Sequence, residues 1–144
     1  MIQFSEKLRS LTPEGQFKAM KNNEEMQESI KDMNALVGNI PNLYETDGMS
    51  RHPLFLHYFA EAYDCYICEY DGDDTFFGYT ILNNDFENSE FGYISKKDIF
   101  CLEKITPLFN LDFYCRFKSI EEALYNKNPN YFSKYKPEAQ SETP

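Results

Sequence analysis

From Pro53 to Ser95 the chain passes through four short runs rich in Phe, Tyr and Ile, each divided from the next by a turn-forming cluster. No β-α-β rhythm links these runs, so the sheet they form is expected to be antiparallel. The first run, Leu54 to Phe59, is apolar on both faces, with His57 among its residues. The second, Tyr63 to Tyr70, is aromatic and acidic by turns and leads into Asp71-Gly72-Asp73-Asp74, a hairpin-type connection. Thr75 to Leu82 follows, where Gly78 either weakens the strand or marks a close backbone approach. A loop beginning at Asn83-Asn84-Asp85 precedes a fourth short strand, Glu90 to Ile94. Further on, Leu111, Phe113, Cys115 and Phe117 alternate with Asp112, Tyr114 and Arg116, the clearest half-buried strand pattern in the chain.

The flanks read as helix. Thr12-Pro13-Glu14 combines a hydroxyl cap, a proline for the first helical position and an acid for the first turn. Met26, Ile30, Met33 and Val37 recur at three- and four-residue steps as one apolar stripe. Gly38 offers a left-handed stop, and Pro41 prevents resumption. Ser95 caps a short helix carrying Ile99 and Leu102, and Ser119-Ile120-Glu121-Glu122 opens a closing helix through about Tyr125. The expected fold is α+β, an antiparallel meander of about five strands with N-terminal helices and two short helices near the C-terminal end. Residues 1–40 form the helical segment, 41–125 the core domain, and 126–144 a loose tail with three prolines.

A chain of 144 residues suits one domain with a real core, and 13 Phe and 11 Tyr supply large buried areas. No apolar run approaches the roughly 20 residues a spanning helix needs, and the first residues lack signal-peptide order. The expected location is cytoplasmic, with Cys65, Cys68, Cys101 and Cys115 as reduced thiols. The net charge of −10 is concentrated in residues 41–95, where eleven acidic side chains face a single basic one, Arg51. Such a field repels phosphate backbones and attracts basic partners, so direct nucleic-acid binding is disfavoured.

Read in order, Ile40-Pro41-Asn42-Leu43-Tyr44-Glu45-Thr46, Tyr66, Glu69-Tyr70-Asp71, Phe76-Phe77-Gly78, Glu90-Phe91-Gly92-Tyr93-Ile94-Ser95, Asp98-Ile99, Asp112-Phe113-Tyr114 and Phe117-Lys118-Ser119 form a series. Over residues 36–125 this series resembles an uncharacterised bacterial family carried on plasmids, conjugative elements and phages. The family tends to carry tryptophan near Tyr66, and this chain has none. No reaction comes with the resemblance. It implies a mobile-element or phage protein, of the kind that often acts on host machinery.

Cys65-Tyr66-Ile67-Cys68 has the spacing of a metal or redox pair, but residues three apart on a strand point to opposite faces. Asp71, Asp73 and Asp74 are only a fragment of a calcium loop and suit a solvated turn. His52 and His57, the only histidines, belong to no catalytic motif, and the six glycines are scattered singly. No cofactor is expected.

The acids of the middle segment are the remaining signal. Glu61, Asp64, Glu69, Asp71, Asp73, Asp74, Asp85, Glu87 and Glu90 fall on the strands, strand ends and loops of the meander. Paired in order, the strands place turn 71–74 at one end and loop 83–89 at the other. The leading expectation is a non-catalytic interaction protein that presents these carboxylates to a basic protein surface and, in its sharpest form, inhibits a nucleic-acid-acting host defence enzyme. One alternative is a small enzyme or metal-binding domain gathering His57 with Glu69, Asp71 or Asp112 in a pocket. Another is an oligomerising subunit that docks through the Met26–Val37 stripe.

Overall fold

The computed structural model describes residues 1–106 and 108–137. Its architecture is α+β, one antiparallel sheet between two layers of helix. The N-terminal layer holds α1 (Glu6–Leu11), α2 (Glu14–Met20) and α3 (Gln27–Gly38), the last preceded by a 3-10 turn at Glu24–Met26. Strands β1 (Leu56–Ala60), β2 (Tyr63–Tyr70), β3 (Thr75–Leu82) and β4 (Glu90–Ser95) form a meander, and α4 (Lys96–Phe100) follows. Strand β5 (Asn110–Leu111) crosses back to pair with β1, giving the order β4-β3-β2-β1-β5. Helix α5 (Ile120–Lys127) and a 3-10 turn at Ser133–Tyr135 complete the described chain. No helix among the described residues is long and apolar enough to cross a membrane.

All eight positions of β2 are buried, because it is the central strand and both of its faces are covered. Its period-two pattern divides the core. Tyr63, Cys65 and Ile67 point to the N-terminal helices and join Leu56, Tyr58, Phe76, Leu8, Leu11, Ile30, Met33 and Val37. Tyr66 and Cys68 point the other way, to Tyr79, Ile81, Ile120, Leu124 and Phe132. Cys65 and Cys68 therefore diverge as the strand reading requires, and all four cysteines are free. The Met26–Val37 stripe faces inward: Ile30, Met33 and Val37 are spent on the monomer's own core.

Gly78 marks a close approach. A Cβ there would lie 1.9 Å from the Tyr66 carbonyl oxygen, beside a register shift between Ile67 and Glu69. The bulge lets consecutive residues of β2 exchange faces, and only glycine leaves room for the partner strand.

Several local expectations are corrected. Thr12 ends α1, its hydroxyl donating to the Leu8 carbonyl at 2.7 Å, and Pro13 alone precedes α2. Gly38 is helical, and α3 stops at Asn39 (φ −109°) with no left-handed residue. The ladder of β1 begins at Leu56; Leu54 instead donates to the Lys118 carbonyl at 3.0 Å.

The alternation over Leu111–Phe117 does not make a strand, and β5 ends at Leu111. The Asp112 carboxylate accepts the Tyr114 N–H at 2.8 Å, an Asx turn that competes with the sheet ladder. Within the segment expected to be a loose tail, Phe132 is 1% exposed and sits against Tyr79 and Phe86, while Lys136 and Pro137 are exposed. The remainder of that tail, 138–144, lies outside the described residues.

Both serine caps form as expected. Ser95 accepts the Asp98 N–H at 3.3 Å, and Ser119 accepts the Glu122 N–H at 3.1 Å. The Glu122 carboxylate in turn accepts the Lys118 N–H at 3.1 Å.

Candidate functional site

The nine candidate carboxylates do not form one surface. Asp64 and Glu69 are buried, at 6% and 1% exposure, which removes both from any interaction face. Glu69 lies beside the bulge and accepts the Tyr44 N–H and the Thr46 N–H, each at 2.9 Å, together with the Thr46 hydroxyl. It anchors the loop of residues 42–48, where Tyr44 adopts φ 72°. Asp64 faces α5 and pairs with Lys127 Nζ at 2.8 Å.

The other seven divide between the two ends of the sheet, roughly 25 Å apart for eight-residue strands. At one end Asp71 accepts the N–H groups of Asp73 and Thr75, and Gly72 turns at φ 86°. Slight burial acts to raise the Asp71 carboxyl pKa, but those donors outweigh it and hold it below the ordinary value. Asp74 accepts the Ser95 hydroxyl and the Lys97 N–H, which hold its carboxyl low, with Lys97 and Lys96 nearby. Two of the three acids at this end are thus spent on the turn and on capping α4.

At the opposite end stand Glu61, Asp85, Glu87 and Glu90, all exposed. Asp85 caps its own loop through Asn88, while Asn83 and Asn84 take left-handed conformations. A groove of about 290 Å³ opens beside this loop, lined by Thr80, Leu82, Asp85, Asn88, Glu90, Gly92, Tyr93 and Ile94. Leu82 and Tyr93 are each 56% exposed, so the groove joins apolar surface to two carboxylates. Among the described residues none of the seven acids forms an ion pair within 4.0 Å.

The structure also gathers residues that spacing could not join. On the face of the sheet beneath α5, His57 Nε2 lies 2.8 Å from Asp64 Oδ1, and its Nδ1 lies 3.3 Å from Asp112 Oδ2. The ring stacks on Tyr66, with centroids 4.4 Å apart and planes 9° apart. Burial pulls the imidazole pKa down, yet the hydrogen bonds and charges of Asp112 and Asp64 prevail and raise it. For each carboxylate burial acts upward, and the contacts prevail downward: His57 and Lys127 for Asp64, His57 and the Tyr114 N–H for Asp112.

Cys115 completes this group, its sulfur within 4.8 Å of the His57 nitrogen and the Asp112 oxygen. Burial pushes its thiol pKa up, which disfavours a free thiolate nucleophile. Of the four residues of which the enzyme alternative expected at least two to gather, His57 and Asp112 meet, whereas Glu69 and Asp71 lie elsewhere. His52 forms a separate pair, its Nδ1 2.7 Å from the buried Glu121 carboxylate.

Comparison of the chain with family models, with curated proteins and with solved structures finds no match in any of the three.

Proposed function

We propose that this is a non-catalytic binding protein that engages a basic surface of a protein partner through the groove lined by β3, β4 and the loop that joins them. The observation that carries the reading is the groove itself: Asp85 and Glu90 flank an apolar floor of exposed Leu82 and half-buried Ile94, with no cation among the described residues within 4.0 Å of either carboxylate. A Cβ added at Gly92 would meet nothing within 4 Å, so the floor stays open to an incoming side chain. Carboxylates beside apolar surface suit a segment carrying Lys or Arg next to an apolar residue. In its sharpest form the partner is a nucleic-acid-acting defence enzyme whose basic groove takes these carboxylates in place of phosphates. A mobile-element or phage origin supplies the setting for such a role.

Binding is favoured over catalysis because His57 stacks on Tyr66 between two carboxylates in a partly buried position, and neither Glu69 nor Asp71 joins it there. The test is capture of partners from the native host at low ionic strength, followed by affinity measurement across a salt series. Affinity should fall steeply with salt. The Asp85→Lys/Glu90→Lys pair should weaken binding at least tenfold, and Asp73→Lys/Asp74→Lys less. Salt-independent binding, or binding indifferent to the Asp85 and Glu90 reversals, would end the reading.

A further inference from the structure

We propose that His57, Asp112 and Cys115 form a binding site for a divalent transition metal of the zinc class. Their donor atoms lie within 4.8 Å of one another, and each residue is partly buried, so the donors converge near the surface without being sealed from it. The 3.3 Å between His57 Nδ1 and Asp112 Oδ2 is long for a charge-assisted hydrogen bond. It equals the edge of a tetrahedron with metal–ligand bonds of about 2.0 Å, which predicts about 3.3 Å between neighbouring N and O ligands.

The surroundings match what such a site requires beyond its ligands. The far ring nitrogen of His57 is held by the Asp64 carboxylate at 2.8 Å, which fixes the tautomer that turns Nδ1 inward. Lys127 holds the other Asp64 oxygen at 2.8 Å and balances its charge. Stacking on Tyr66 sets the ring plane. The second Asp112 oxygen accepts the Tyr114 N–H at 2.8 Å, and the Asp112 N–H donates to the His57 carbonyl at 2.8 Å, so the carboxylate is locked beside the imidazole.

Asp112 and Cys115 are three residues apart on one turn, while His57 comes from a strand 55 residues earlier. A mixed N, O and S donor set suits zinc better than magnesium or calcium, which prefer oxygen alone. Binding uses the Nδ1 lone pair of the Nε2–H tautomer and displaces one proton from the Cys115 thiol, and water fills the fourth position. The ion would clip the turn after β5 onto β1. The site shares no residue with the acidic groove and stands or falls separately.

The test uses the full chain, freed of metal by chelation and titrated with zinc against a chromophoric competitor, then with cobalt. One equivalent of zinc should bind, and cobalt should give a thiolate-to-metal charge-transfer absorption with tetrahedral visible bands. Cys115→Ser and Asp112→Asn should each weaken zinc binding at least tenfold, and Cys115→Ser should abolish the charge-transfer band. Cys101→Ser should leave both unchanged. Circular dichroism identifies any variant that fails to fold. X-ray absorption at the zinc edge of the unmutated protein gives an independent reading, one sulfur with nitrogen and oxygen neighbours. Absence of stoichiometric binding, a spectrum without sulfur, or binding indifferent to Cys115→Ser would overturn the proposal.

Discussion

His57 and Tyr66 are direct partners across β1 and β2, and their rings stack nearly parallel, 9° apart at a centroid separation of 4.4 Å. The contact holds the imidazole against an aromatic face while Asp64 and Asp112 grip its edges. In chelator-treated protein this arrangement makes stability depend on pH. The His57 pKa is raised by folding, so its contribution is complete below the ordinary imidazole pKa and is lost as pH climbs through the folded value. Asp64 and Asp112 are lowered, so theirs is complete above the ordinary carboxylate pKa and lost as pH falls through the folded values. The network should therefore contribute most between about pH 4 and pH 6.5. Chemical denaturation across this range should show stability declining above it, and His57→Gln should flatten the decline.

Gly78 is the tightest steric constraint in the sheet. Gly78→Ala would set a methyl carbon 1.9 Å from a backbone oxygen of the central strand, which no rotamer change relieves. The expected cost is at least about 3 kcal/mol, read from the urea midpoint. Gly92→Ala, with open space at its Cβ, should cost far less and serves as the control.

The Glu69 carboxylate holds three donors from the 42–48 loop in a dry setting. Glu69→Gln keeps the shape but replaces an acceptor-only group with one that must donate, and should cost about 2 kcal/mol. Hydrogen exchange at the Thr46 amide should accelerate in step. Protection unchanged at Thr46 would mean the loop is held by other contacts.

The sheet was legible where local chemistry and tertiary packing agree. The limits of β2 and β3 follow from aromatic alternation broken by Asp71-Gly72, and both serine caps sit where their partner acids announce them. Legibility failed where two local signals compete. Residues 111–117 alternate well enough for a strand, yet Asp112 also favours an Asx turn, and the ladder register with β1 ends at Leu111. Thr12 could begin a helix or end one, and its hydroxyl chose the Leu8 carbonyl.

The candidate site was less legible because burial of a charge is a tertiary fact. Asp64 looks like any acid near the start of a strand until Lys127, far along the chain, closes over it. Glu69 and Asp71 are two residues apart, and one is nearly dry while the other faces water. The meeting of His57 with Asp112 and Cys115 depends on β5 returning to the β1 edge, which no spacing announces.

That return has a consequence for how the chain matures. Gln16 holds Leu111 by two backbone contacts, its amide donating to the carbonyl at 2.7 Å and accepting the N–H at 2.8 Å. While the chain is being synthesised, β1 therefore waits with a bare edge until residue 111 has cleared the ribosome, and the α5 face waits longer for Phe132. The meander can pair early from nearby residues, but closure is a late event between distant ones. Nascent chains stalled short of β5 should be the forms most prone to join strand edges with one another.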